Sequence, residues 1–167
     1  YYGVFTWMPG KLAAGDFGFV KGFGFLVVVA LAQIPGYALA AFGVEAWGRK
    51  PTLTAFLILS ALGCLLFTVA NSALLVGGSL LIMSFALLGC WGALYAFTPE
   101  LYPTHLRATG MGTAGSMARL GGLLAPSALA GLASQNFAMA VGLFAALLAL
   151  AGFLSFFIDA ETRQTAL

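Results

Sequence analysis

Apolar residues run in long blocks along this chain, separated by short polar punctuation. Stretches of about 18 or more residues without charge mark candidate membrane helices. Reading on that criterion predicts spans at 23–44, 52–70, 73–97, 108–133 and 137–158, the fourth interrupted only by Arg119. Residues 1–9 are apolar and aromatic but too short to cross, and read as the end of a further, truncated helix. They carry no initiator Met and no basic segment of the kind that opens a signal peptide. The predicted fold is all-α, a polytopic membrane helix bundle. The two-residue connection Asn71–Ser72 makes the helices on either side antiparallel neighbours.

Composition strengthens the membrane reading: 62% of residues are hydrophobic and 7% charged, against roughly 25% charged in an ordinary soluble domain. The formal net charge of +2 comes without any basic tract, so nucleic acid is not an expected partner. Cys64 and Cys90 both fall inside predicted spans, where a small thiol reads as packing rather than as a disulfide. One His, His105, and two separated thiols make no metal site, and no Gly-rich loop with Lys-Ser/Thr is present to cradle phosphates. No cofactor is expected. Nor does any nucleophile, base and orienting group occur at plausible spacing, so an enzyme is not expected either.

Charge placement assigns sides. Segments 45–51, 99–107 and 159–167 group on one face of the membrane and carry Arg49, Lys50, Arg107 and Arg163. The opposite segments carry Lys11 and Lys21, so the first face, with the C-terminus, is cytoplasmic by the positive-inside rule.

Against that background Arg119 is the most informative residue. A helix rises about 1.5 Å per residue, which puts Arg119 about 18 Å beyond Arg107, near the middle of a ~30 Å apolar slab. An ionised guanidinium there implies a substrate anion, a structural or gating partner on another helix, or a misplaced helix boundary. The positions sharing its helical face are Gly112, Gly115, Ser116, Gly122, Leu123 and Pro126, most of them small or polar, which suits a receptor for a carboxylate. The acidic residues Asp16, Glu45, Glu100, Asp159 and Glu161 all fall in loops or at helix ends, away from it. Gln33 and Tyr37 share one face at i and i+4, with Pro35-Gly36 between them disturbing the backbone ladder. Gln33 is the only Gln or Asn in a complete predicted span, few amides for a sugar or polyol site.

Two loops then carry a specific resemblance. The run Glu45, Ala46, Trp47, Gly48, Arg49, Lys50 resembles the acidic, Arg, any, Gly, Arg, Arg/Lys signature between helices eight and nine of the major facilitator superfamily, with Glu for the usual Asp and Ala46 for a frequent Arg. Glu100, Pro103 and Arg107, followed by Gly110-Met111-Gly112, resemble the signature between helices ten and eleven. The terminal Glu161-Thr162-Arg163 is similar to the element after helix twelve, with Ala160 replacing Pro. The resemblance implies that residues 1–167 are the C-terminal six-helix half of a twelve-helix fold, helices seven to twelve with the first truncated, working with an N-terminal six-helix half and lying in the plasma membrane.

Further along, Thr109 to Gly112 and Met117 to Gly121 resemble helix eleven of organic-anion and aromatic-acid (nicotinate-like) transporters. In that branch an Arg at the position of Arg119 accompanies anionic substrates. Tyr1 and Tyr2 match a Tyr pair on helix seven, and Trp91 a cavity aromatic on helix ten; Tyr37 stands where mammalian organic-anion carriers tend to have Lys. The expected function is secondary active transport of a small organic anion, an aromatic or heterocyclic carboxylate, by alternating access with proton symport. Expected substrate-binding residues are Arg119, Trp91, Tyr1, Tyr2, Gln33, Tyr37 and Ser116; expected gating residues are Glu45, Arg49, Lys50, Glu100 and Arg107. Each aromatic also has a packing reading, and Tyr1, Tyr2 and Trp7 an interfacial one. The gating cations also read as helix-end anchors. Rival readings are a sugar or polyol porter of the same superfamily and a non-transporting membrane receptor on this fold.

Overall fold

A computed structural model describes residues 1–6 and 23–158. Predictions that rest on Trp7, Lys11, Asp16, Lys21 and the Asp159–Arg163 region lie outside the described residues. Residues 2–6 are helical, with the Phe5 N–H donating to the Tyr1 carbonyl at 3.1 Å. Then follow α1 (Phe23–Leu31), α2 (Gln33–Ala46), α3 (Arg49–Thr68), α4 (Ala73–Glu100), a 3₁₀ turn (Thr104–Leu106), α5 (Arg107–Ala128), α6 (Ala130–Gln135) and α7 (Phe137–Ser155).

Local chemistry sets these boundaries. Pro35 has no N–H to offer the Leu31 carbonyl, and the helix breaks at Ala32, between α1 and α2. The axis continues nonetheless, because the Ala32 N–H reaches the Val28 carbonyl at 3.0 Å, and Gly24–Ala46 forms one 23-residue apolar span. At the end of α2 the N–H groups of Trp47 and Gly48 both donate to the Gly43 carbonyl. Gly48 takes φ 114° and ψ 161°, a region open in practice to glycine alone. The glycine of the loop signature thus has a backbone reason. Ser72 caps α4 by accepting from the Leu75 N–H at 3.3 Å, and Asn136 caps α7 by accepting from the Met139 N–H at 3.2 Å.

The bundle centres on α3 and α4. α7 lies along α3, and α2 along α4. Leu80, Met83 and Val141 are buried between the helices, with Cys64, which is fully buried and, like Cys90, a free thiol. Glycine sets how closely α2 and α4 approach: a side chain on Gly36 would collide with the Phe85 backbone carbonyl. Buried hydroxyls tie neighbours together. Ser84 donates to the Val29 carbonyl at 2.6 Å, joining α4 to α1. Ser155 gives its proton to the Gly152 carbonyl at 2.6 Å, so in its 2.5 Å contact with Thr54 the Thr54 hydroxyl is the donor. Each such bond contributes about 1 kcal/mol.

Among the described residues, four helices are long and apolar enough to cross a membrane: Gly24–Ala46, Arg49–Thr68, Ala73–Glu100 and Phe137–Ser155. The remaining predicted span, 108–133, differs. Its first part is α5, 22 residues or about 33 Å long, whose glycines, hydroxyls and Arg119 leave it less apolar than the other four. It turns at Leu129 into the short α6 three residues after Pro126. α5 is also the least embedded long helix, touching α4 only lightly, with Gly110 its one buried residue.

Candidate substrate site and helix-end clamp

The loose seating of α5 leaves a cleft. A cavity of about 540 Å³ opens between Tyr1 to Gly3, α4, α5 and α7. Its α5 wall is Ala118, Gly121, Gly122 and Ala125, while α4 supplies Leu87, Cys90, Trp91 and Leu94. A narrower wedge continues it along the same seam, between Trp91, Tyr95 and Thr98 on one side and Met111, Ala114 and Gly115 on the other. The walls are apolar and aromatic.

Arg119 lies at the edge of this seam. Its side chain is exposed, and Nη1 lies 3.7 Å from the point where a Cβ on Gly115 would be, so the guanidinium folds back over a glycine of the narrow wedge. Both carboxylates in the described residues, Glu45 and Glu100, are engaged by Arg49. Among the described residues, no carboxylate pairs with Arg119. Ser116, one turn away, donates its hydroxyl to the Gly112 carbonyl at 2.8 Å and so retains only acceptor capacity.

The predicted aromatics are drawn together by glycines on facing helices. Tyr2 packs on Gly122, where a Cβ would meet the ring at 2.6 Å. Tyr1 meets Tyr2 edge-on at 5.4 Å and stacks on Phe5 at 4.8 Å. The Gln33 amide donates to the Tyr1 hydroxyl at 3.4 Å, and the Tyr37 ring lies against Gly92, 3.1 Å from a Cβ there. Trp91 stacks on Tyr95 with centroids 5.4 Å apart and planes 25° apart. Tyr95 escaped the sequence reading, although its i+4 spacing from Trp91 on one helical face was the signal that could have found it.

A second polar cluster occupies the other end of the helices. Arg49 makes a fork on Glu100, Nε to Oε2 and Nη2 to Oε1, both at 3.0 Å. It also meets Glu45 at 3.1 Å and donates to the Val44 carbonyl at 2.9 Å. Its side chain is 11% exposed and that of Glu100 14%, whereas Glu45 is 65% exposed; the Arg49–Glu100 fork is the partly desolvated, geometrically specific pair. Lys50 donates from Nζ to the carbonyls of Phe156 and Ile158, both at 2.8 Å, capping the far end of α7. Arg107 turns to the Tyr102 carbonyl at 3.3 Å, and Tyr102 packs its ring on Gly110. Of the five expected gating residues the structure therefore unites Glu45, Arg49 and Glu100, while Lys50 and Arg107 bind backbone carbonyls.

Four membrane-length helices in one packed bundle define a polytopic α-helical membrane protein. The family profile of the Major Facilitator Superfamily matches residues 1–166, and the chain belongs to that family. It is 38% identical over 169 residues to the putative niacin/nicotinamide transporter NiaP of Bacillus subtilis, a match covering all of this chain and 42% of that protein. It is 44% identical over 128 residues to the niacin transporter NiaP of Acinetobacter baylyi, covering 75% of this chain and 29% of that protein. A more distant relative is the organic cation transporter protein of Drosophila melanogaster, 30% identical over 75% of the chain and 22% of that protein. The chain thus spans less than half the length of these relatives.

Proposed function

We propose that this chain is the C-terminal six-helix half of a secondary transporter that carries a small aromatic or heterocyclic carboxylate, nicotinate-like in size and charge, across the plasma membrane by alternating access with proton symport. The observation that carries the reading is Arg119. It is a permanent cation on the helix least embedded in the bundle, beside an aromatic cleft, with no carboxylate partner among the described residues. A planar carboxylate would satisfy the guanidinium bidentately, and Trp91, Tyr1, Tyr2 and Tyr37 would flank a flat ring. Ser116 and Gln33 complete the proposed polar lining.

The names of two relatives point the same way, as niacin transporters. The organic cation carrier shows that kinship alone leaves the sign of the substrate open; Arg119 selects the anion. Glu45, Arg49 and Glu100 serve as the bistable closure at the cytoplasmic end, with Lys50 and Arg107 fixing the helix ends that the closure moves, and with the C-terminus cytoplasmic. The domain spans residues 1–167 and docks against an N-terminal six-helix half, which supplies the titratable group for proton coupling.

The test is uptake of radiolabelled nicotinate and of neutral nicotinamide by proteoliposomes holding the intact transporter, with and without an inward proton gradient. Uptake of nicotinate well above nicotinamide, stimulated by the gradient, is the expected result. Preference for the neutral amide would overturn the anion assignment, and indifference to the gradient would overturn proton symport.

A further inference from the structure

The cavity beside α5 holds three ring-borne hydrogen-bond donors, the hydroxyls of Tyr1 and Tyr2 and the indole N–H of Trp91. Within the described residues, only Tyr1 has its polar atom held by another side chain. The Gln33 amide donates to the Tyr1 oxygen at 3.4 Å, which occupies the acceptor side of the phenol and leaves its own proton to be given elsewhere. No protein acceptor for that proton occurs among the described residues. A hydroxyl that accepts from an amide is also the better donor, because hydrogen bonds in a chain polarise one another.

Gln33 itself has a rigid seat. It opens α2 directly after the break at Ala32. Before it, the Val29 carbonyl accepts from the buried Ser84 hydroxyl at 2.6 Å; after it, Gly36 presses on the Phe85 backbone. An amide mounted this way fixes where the Tyr1 proton can point, and the proton belongs to a residue that lines the cavity. The aliphatic and phenyl walls, Leu87, Leu94 and Phe144, offer a ring nothing to hydrogen-bond.

We infer that the Gln33–Tyr1 pair is a reader of ring heteroatoms: the Tyr1 hydroxyl, oriented by Gln33, donates to an acceptor nitrogen in the substrate ring and selects heteroaromatic over plain aromatic carboxylates. Gln33 is a positioning residue and Tyr1 makes the contact. The inference rests on the anion-carrier reading above and deepens it, since Arg119 reads the carboxylate and the pair reads the ring.

Competition uptake in proteoliposomes of the intact transporter tests it, with nicotinate and benzoate as the probes. Both share the carboxylate and the flat ring, and they differ at the ring nitrogen. Wild type should prefer nicotinate. Tyr1→Phe and Gln33→Leu should each lower the nicotinate-to-benzoate ratio by about five- to tenfold, the worth of one hydrogen bond, by raising the nicotinate KM more than the benzoate KM. Gln33→Glu is the sharper variant: nearly isosteric, its carboxylate draws the Tyr1 proton to itself and should cost the preference too. A ratio unchanged in all three variants, a wild type without preference, or an equal loss of both acids would overturn the inference while leaving anion transport standing. A wild type that takes up neither acid would overturn the functional reading and this inference with it.

Discussion

The two polar regions of this half-bundle are built on opposite plans. At the loop joining α2 to α3, Arg49 is engaged by Glu100, Glu45 and the Val44 carbonyl, and Lys50 closes on two carbonyls at the end of α7. Beside the cleft, Arg119 lies over a glycine with no carboxylate among the described residues, and the Tyr1 proton has no acceptor there. Where every charge is answered from within the half, polar chemistry holds helix ends. Where charge is left unanswered among the described residues, as at Arg119, the proposed complement is a substrate anion that the aromatic walls would flank. The same residue type, arginine on a membrane helix, is thus a fastener in one place and the proposed receptor in the other.

That contrast can be broken most forcefully by reversing the charge of Arg119. Arg119→Glu should abolish nicotinate uptake while the thermal midpoint of the purified protein stays within a few degrees of wild type, since Arg119 makes no ion pair among the described residues. At the fastener the balance should invert. Arg49→Ala leaves Glu100 partly buried without its fork, a change that costs about 3 kcal/mol, read as a lowered unfolding midpoint, with substrate affinity in the surviving folded fraction little changed. Gly48→Ala forces a side chain into a region that only glycine occupies readily and should destabilise by about 1–3 kcal/mol, again without a change in affinity. Smallest is Trp91→Leu, which removes one face of the aromatic wall. A several-fold rise in the nicotinate KM, corresponding to about 1 kcal/mol, is the expected result.

Much of the frame was legible because it depends on local pattern. Long charge-free runs located four spans that the structure bears out, Pro35 located the break near Ala32, and the two-residue Asn71–Ser72 connection placed α3 against α4. The fourth predicted run fared less well. Hydropathy alone reads 108–133 as one segment, whereas the chain turns at Leu129 after Pro126 and leaves α5 lightly packed. Site chemistry was legible one residue at a time. Arg119 stands out as a lone charge, but the pairing of Arg49 with Glu100 across 51 residues, the turn of Arg107 to its own Tyr102 carbonyl, and the bond between Gln33 and Tyr1 depend on which helices become neighbours. Sequence spacing cannot encode that. Tyr95 was missed for a different reason: a tyrosine among apolar residues looks like packing until its ring is found stacked on Trp91.

The most direct measurement of the central claim is equilibrium binding of nicotinate to the purified intact transporter, wild type against Arg119→Lys and Arg119→Ala, with nicotinamide as the neutral control. If Arg119 is the carboxylate receptor, nicotinate affinity should fall by about tenfold or more in Arg119→Lys, where charge survives but the planar fork does not, and further in Arg119→Ala, while nicotinamide binding barely moves. Unchanged nicotinate affinity in Arg119→Ala would contradict the account and return Arg119 to a structural role.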